Sequence, residues 1–342
     1  MQACSTELDV NAPSRETKVV YCVLDPSLSF QTARVSRGFL SEGRSAYELA
    51  QIADSNLYNP ANLEVNLLEL RRSSTGRFDT VGRYLMRAET INTKDTVSGD
   101  FYGPEQMVYR TDNFNLGATS NPDLMKYCLR VRNKISGKVS EAYTQVPGSD
   151  LSIMNKIEYD LTPPNTTIII GLIPLLMRQT NTKFEIKKTP NTSFIQLIVR
   201  WNLQVFLEDG TSRTEEWSMP SGYFDQGSST IFASFDSKTF YSTLDGQVRI
   251  RGNAGVVKRK FVSGTLEIFA GNTDYDSYRT VNNNFNSFSQ SQPVFTNFSN
   301  GALGILCAKN RKSYLVDVPA SFDVTQVIEK INQNVPGLKL GN

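Results

Sequence analysis

The chain has no histidine in 342 residues. That removes the commonest general base, the Ser-His-Asp and Cys-His arrangements, and the commonest zinc ligand. Carboxylate-only or Lys/Tyr chemistry survives the test; most other hydrolase designs do not. Cysteine is scarce: Cys4, Cys22, Cys128 and Cys307 lie far apart with no C-x-x-C. They read as reduced, small apolar residues, with a disulfide pair as the alternative. Long apolar runs are missing too. The longest, "TIIIGLIPLLM" at 167–177, falls well short of the roughly 20 residues that cross a bilayer, and residues 1–18 carry no secretory signal. A soluble intracellular product is expected. Charge of one sign is also lacking: 36 Lys and Arg against 34 Asp and Glu leave a formal +2. This argues against a dedicated high-affinity nucleic-acid module and leaves local clusters open. No G-x-x-x-x-G-K-[ST] and no G-x-G-x-x-G before a helix is present. There is no internal repeat, and the Asn-x-Ser/Thr matches at Asn165, Asn191 and Asn297 are no more than composition gives.

What the chain does contain is strand patterning. From Ile195 the alternate residues Ile195, Leu197, Val199, Trp201, Leu203, Val205 and Leu207 form an unbroken apolar stripe. The other register, Phe194, Gln196, Ile198, Arg200, Asn202, Gln204 and Phe206, is polar in its middle. Side chains alternate across a strand, so this pattern puts one face in a core and leaves the other partly wet. At about 3.3 Å per residue the strand spans roughly 40 Å, far beyond the usual length. Glu208-Asp209-Gly210-Thr211 predicts a hairpin turn, because glycine tolerates positive φ. The return strand, 213–219, alternates less cleanly, with Trp217 and Met219 in register with Arg213 and Glu215.

The length admits two domains or one large all-β unit. Residues 1–16 read as a polar arm and 17–24 as a strand. "GRSAYELAQIADS" (43–55) predicts a helix stopped by Asn59-Pro60. Runs on either side of Ser73–Gly76 predict a hairpin. Residues 92–125 read as a long connection, and 126–135 as a strand. After Pro147-Gly148 strands are predicted at 153–160, 167–177, 183–188, 194–207, 213–219, 229–235, 247–251, 256–269 and 303–318. The boundaries are therefore an N-terminal β-rich region at 17–150, separate or part of the same sandwich, and a β-sandwich at 151–342. The latter carries a loop at 271–302 and a terminal helix at 322–334. In "NNNFNSFSQSQPVFTNFSN" (282–300), Phe285, Phe288, Phe295 and Phe298 predict a segment lying on a surface or a neighbour, since a disordered linker rarely carries so many aromatics.

Acidic candidates are Glu208-Asp209, Glu215-Glu216 and Asp274-Tyr275-Asp276. Two carboxylates serve glycoside hydrolysis only when they face each other across a cleft. Neighbours on a strand point to opposite faces, so Glu215 and Glu216 do not share a substrate. Asp274 and Asp276 are the weak metal candidates, through hard oxygen ligands, with a solvated turn as the plainer reading; otherwise no metal, no cofactor and no catalytic residue is expected. The basic residues are better patterned. Lys126, Arg130, Arg132 and Lys134 fall on one strand face with Cys128. In "QVRIRGNAGVVKRKF", a turn at Asn253-Ala254 places Arg249 opposite Lys258, with Arg251 and Lys260 beside them. Like charges opposite in a sheet repel, and a carboxylate or a phosphate backbone offsets this. Lys309, Arg311 and Lys312 form a third cluster in a turn predicted within "GILCAKNRKSYLVDV". Solvated strand faces and turn tips are the plainer reading of all three. Of the two tryptophans, Trp201 belongs to the core stripe, while Trp217 is a candidate to stack on bases or sugars.

Long antiparallel strands, short helices in connections, Asn/Ser/Pro-rich loops and scattered basic strand faces together resemble the jelly-roll capsid and structural proteins of small viruses. The resemblance is architectural and covers mainly 150–320; no site residue is carried over, and the basic arm of many coat proteins is absent from residues 1–16. It implies a mainly β, antiparallel β-sandwich of jelly-roll type, with short helices in connections and at the C-terminus. It also implies a non-enzymatic coat subunit that self-assembles into a homo-oligomeric shell in the host cytoplasm, with other structural proteins or weakly bound nucleic acid as partners, and resides in the virion. Ile198 and Phe206, apolar on the wetter face, join the loop phenylalanines as interface candidates. Two other classes are open: a non-capsid nucleic-acid-binding β protein such as a viral movement protein, and a carbohydrate-binding or carbohydrate-active β-sandwich using Trp217.

Overall fold

The structure is a computed structural model that describes residues 17–38, 48–49, 52–91, 106–116, 122–154, 167–169, 182–225, 230–235, 237–283, 295–317 and 324–341. The arm at 1–16, Cys4, most of the helix expected at 43–55, residues 155–160 and 170–177 of two expected strands, and Phe285 and Phe288 lie outside the described residues. The fold is mainly β, as alternation predicts. The strand pairings do not show a jelly-roll order. Helices α1 (Ala53–Asn56), α2 (Ser237–Arg251), α3 (Thr273–Asn283) and α4 (Val324–Asn334) are short. Glu48 and Leu49 are also helical, but Ile52 is not, so the helix expected over 43–55 is interrupted. The chain forms two compact units, 1–146 with 272–309 and 147–271 with 310–342. Residues 272–309, which alternation alone groups with the later chain, pack with the first unit.

The first unit holds β1 (Thr17–Leu24), β2 (Thr32–Gly38), β3 (Leu63–Arg72), β4 (Phe78–Ile91), β5 (Gln106–Arg110), β6 (Met125–Asn133), β7 (Val139–Thr144) and the first part of β14 (Leu303–Asp317). The order β14-β1-β2-β5-β4-β3-β6-β7 is antiparallel except for β1 with β14. Strand β5 falls inside the connection expected at 92–125; its buried Val108-Tyr109 pair is too short to show a period. Inward residues of β1, β2 and β14 (Val20, Cys22, Val35, Leu306) share one core with those of β3 and β6 (Val65, Leu67, Tyr127, Leu129). Gly304, opposite Val20, has φ +105°, and a Cβ there would meet the Val20 carbonyl oxygen at 1.9 Å. Only glycine fits.

Asn272 fastens the point where the chain re-enters this unit. Its Oδ1 accepts from Tyr275 N at 3.0 Å and so caps α3, and it also accepts from Ala308 N at 3.2 Å. Its Nδ2 donates to Thr144 Oγ1 at 2.6 Å and to Gln145 O at 3.0 Å. Loss of a capping side chain costs about 0.5–2 kcal/mol. Asn272→Ala is therefore expected to lower amide protection of α3 by that amount in hydrogen exchange, and unchanged protection would show that the cap contributes nothing.

The second unit contains β8 (Thr167–Ile169), β9 (Thr182–Lys187), β10 (Phe194–Leu207), β11 (Ser212–Asp225), β12 (Thr230–Phe235), β13 (Val256–Gly271), β15 (Leu340–Gly341) and the rest of β14. Strand β10 lies between β11 and β13, antiparallel to both. Every stripe residue from Ile195 to Val205 is buried, and the opposite register from Gln196 to Phe206 is half-buried. The turn after β10 forms where Asp209-Gly210 predicts it, with Gly210 at φ +81° and Asp209 Oδ1 accepting from Thr211 N at 2.9 Å. The stripe is covered by Phe240, Tyr241, Leu244 and Val248 of α2 and by Ile331, Val335, Leu338 and Leu340 near the C-terminus. The helix expected at 322–334 is α4.

One predicted strand is corrected. "QVRIR" (247–251) ends helix α2, because the four buried residues at 240, 241, 244 and 248 recur at helical spacing. Val248 is buried and Ile250 is 81% exposed, so the two do not share a strand face. Two side chains of α2 reach the outer side of β11: Arg251 Nη2 donates to Glu216 O at 2.6 Å, and Gln247 Nε2 to Ser218 O at 3.5 Å. In the first unit, Ser299 bonds the main chain of β7 through Glu141 in both directions, at 2.8 and 3.0 Å, and Asn300 Nδ2 donates to Val139 O at 2.7 Å.

Candidate nucleic-acid interface

Strand β6 alternates Met125, Tyr127, Leu129 and Val131 into the core with Lys126, Cys128, Arg130 and Arg132 away from it. The register extends this outer face across four strands. Cys128 lies opposite Leu68 and Tyr143, Arg130 opposite Asn66 and Glu141, and Arg132 opposite Glu64 and Val139. Leu68 in turn lies opposite Arg83, Asn66 opposite Leu85, and Arg72 opposite Phe78. At the ~4.8 Å spacing of neighbouring strands the face is about 14 Å across from β4 to β7. A small buried island of Leu68, Leu70 and Cys128, with Phe78 packed against it, occupies its centre.

Arg72, Arg83, Lys126, Arg130 and Arg132 stand on this face, and Arg87, next on the outward register of β4, is ion-paired with Asp112 at 3.1 Å and is set aside. Glu64 and Glu141 are the carboxylates. Glu141 is engaged, since Arg130 Nε donates to its Oε1 at 2.5 Å and Tyr143 Oη to its Oε2 at 2.9 Å. The bond to Glu141 pushes the Arg130 guanidinium up from its ordinary value and so keeps it charged. Glu64 accepts from Asn66 Nδ2 at 2.9 Å. Lys126 Nζ lies 5.3 Å from the Phe78 ring centroid and 5.6 Å from that of Tyr143. Arg72, Arg83 and Arg132 are exposed. Lys134 leaves the group. The strand ends at Asn133, whose Oδ1 accepts from Ile135 N at 2.8 Å to make a turn, and Lys134 Nζ donates to Ala61 O at 3.0 Å. Sequence reading missed Arg72, Arg83, Phe78 and Tyr143, which reach this face only through cross-strand register.

The other basic clusters do not assemble. Arg249 sits on α2, ion-paired with Asp245 one turn back, so it does not face Lys258 across a hairpin. "GNAG" joins that helix to β13, not two strands. Arg251 is spent on β11, Lys258 Nζ lies 5.3 Å over the Phe206 ring, and Lys260 is exposed opposite Gln204. Lys309, Arg311 and Lys312 lie within the continuous strand β14, not in a turn, and Lys309 Nζ is 3.4 Å from buried Asp25.

The acidic and aromatic candidates are also repositioned. Asp274 and Asp276 open α3 and are not a solvated turn. Burial pushes the Asp274 carboxyl up, opposed by the bond from Thr144 Oγ1 at 2.9 Å, while Asp276 Oδ1 accepts from Arg279 at 2.7 Å. Among the described residues no group of three His, Cys, Asp or Glu is placed to hold a metal. Cys22, Cys128 and Cys307 are free and buried, and burial pushes the Cys22 thiol up to about 12. Phe298 is a core residue of the first unit, not an interface residue, and Phe295 is half-buried. Ile198, half-buried, lies opposite Pro220 and Glu267.

Trp217 is fully buried, which excludes it as a stacking platform for a sugar or base. Its Nε1 donates to Glu215 Oε2 at 2.9 Å. Glu215, the charged residue that spoils the alternation of β11, is buried while Glu216 is exposed, as opposite strand faces require. Burial pushes the Glu215 carboxyl up, but the bonds from Trp217 and Arg213, with the charges of Arg213 and Arg259, outweigh it and hold it below the usual carboxylate range. Arg259 is fully buried. Its guanidinium donates to Asn253 Oδ1 at 2.8 Å, Leu338 O at 3.1 Å and Gly252 O at 3.1 Å, 5.2 Å from the Trp217 ring centroid. This constellation is a structural clamp, built of residues that alternation does not explain.

No known protein family matches the chain, and no curated protein does. Among solved structures, "Crystal structure of CBD12 from CALX1.2" aligns over 87% of this chain and 99% of its own, with 8% identity and a TM-score of 0.17. A similarity that low carries no argument about fold or function. No helix among the described residues is long and apolar enough to cross a membrane.

Proposed function

We propose that this chain is a non-catalytic structural protein, a coat subunit that associates with copies of itself in the virion and contacts nucleic acid through the outer face of β4-β3-β6-β7. The observation that carries the contact is the charge on that face: five cations against two carboxylates, one of which is already held by Arg130. Cations spaced along neighbouring strands suit a phosphate backbone, which neutralises them without reading sequence. The near-neutral whole chain makes the contact weak and dependent on salt.

The test is binding of an oligonucleotide across a salt series. Each lost phosphate contact lowers the salt slope by about 0.7 for a single strand and 0.9 for a duplex. Arg83→Gln and Arg132→Gln are each expected to flatten it by about that amount and to weaken all sequences alike. Slopes unchanged in both variants would sink the contact. Negative-stain imaging across pH and salt tests assembly: regular shells or tubes support the coat reading, and a persistent monomer overturns it. A monomer that binds strongly and salt-dependently would instead be the non-capsid nucleic-acid-binding protein, of which a movement protein is one kind.

A further inference from the structure

We infer that the outer face of β4-β3-β6-β7 takes single-stranded in preference to duplex nucleic acid, with Tyr143 as the stacking platform. The inference rests on the nucleic-acid reading above and adds the form of the ligand.

The shape of the face comes first. The major groove of a B-form duplex is about 12 Å wide and admits a helix or a two-stranded ribbon. A four-stranded face about 14 Å across between its outer strands does not enter it. A duplex therefore does not take this face into its major groove, and its bases stay stacked, away from the aromatic surface. A single strand lies down on it, and unstacked bases meet whatever aromatic surface is present.

That surface is Tyr143. It is 44% exposed, and its hydroxyl is tied to Glu141 Oε2 at 2.9 Å. Glu141 is held in turn by Arg130 at 2.5 Å. The ring is thus oriented through its polar end, which leaves aromatic surface for contact. Lys126 Nζ, 5.6 Å over one face of the ring, and Arg132, two residues along β6 from Arg130, supply charge within the same patch and leave the opposite ring face for a base. Exposed Leu85 on β4 extends the apolar surface without adding charge. Stacking on one aromatic is sequence-tolerant, because every base has a π-face.

The experiment uses the full chain at low salt with a labelled 12-nucleotide oligo-dT, a mixed-sequence strand of the same length, and the duplex of that mixed sequence. Both single strands are expected to bind at least tenfold tighter than the duplex. Tyr143→Leu is expected to weaken them by about 5- to 150-fold, the range of one base–aromatic stack, with the salt slope unchanged. Tyr143→Phe keeps the ring and retains most of the affinity, which separates stacking from loss of the Glu141 bond and from misfolding. Duplex binding as tight as single-strand binding, or Tyr143→Leu without effect, overturns this inference and leaves the charge-based contact standing. If no probe binds at low salt, both readings fall.

Discussion

Arg259→Ala is expected to destabilise the second unit by roughly 3–5 kcal/mol, the cost of removing one member of a buried charge cluster. The guanidinium holds the Asn253 side chain and satisfies the carbonyls of Gly252, Gly337 and Leu338, the last two next to the C-terminal strand. Truncation orphans these acceptors and leaves buried Glu215 without the charge of Arg259. Arg259→Lys is expected to recover little, because one ammonium does not reproduce a planar fork of donors. The measurement is urea unfolding followed by tryptophan emission, since Trp201 and Trp217, the chain's two tryptophans, both belong to this unit. A midpoint within error of the unmodified chain would refute the clamp. The same cluster sets a pH dependence. Glu215 is held below its ordinary range, so its contribution is present above the unfolded carboxylate value and is lost as pH falls through the folded one. Glu215→Gln removes that part of the acid sensitivity; an acid profile unaltered by the change would count against it.

Trp201→Ala is expected to cost about 3–5 kcal/mol in the same unit. Its ring meets Phe240 at 5.3 Å and Phe261 at 5.6 Å, both edge-on, and it lies opposite Trp217 on one side and Gly264 on the other. It joins the β10 stripe to helix α2, so truncation opens a cavity between sheet and helix. Trp201→Phe keeps part of the packing and is expected to lose less. A loss below about 1 kcal/mol for the alanine variant would mean that the layer collapses into the space without cost.

Strand β10 was legible because both of its registers are long enough to show a period, one buried and one wet. Helix α2 was not, because "QVRIR" alternates over five residues, and only the spacing from Phe240 to Val248 exposes the helix. Arg130 and Arg132 could be placed on one face from their own strand. Their companions Arg72, Arg83 and Tyr143 could not, because cross-strand register brings them there. Arg259 and Glu215 were hidden for another reason: a buried charge breaks alternation, and the two are brought together with the carbonyls of 337–338 only by the fold, although Gly252, Asn253, Arg213 and Trp217 lie near them in sequence. Asn272 is similar, since its bonds to Thr144 and Gln145 span more than a hundred residues.

The side chains lying along β11 and β7 bear on the proposed association of copies. Terminal strands of a sheet offer main-chain groups that template pairing with other chains, the usual route to aggregation and fibres. Here Arg251 and Gln247 occupy outward carbonyls of β11, while Ser299 and Asn300 occupy those of β7 together with the Glu141 amide. These stretches of β11 and β7 are each blunted from within their own unit. The proposed association of copies is therefore expected to run through side-chain surfaces and loops, where geometry closes a symmetric assembly, and not through continuation of these strands.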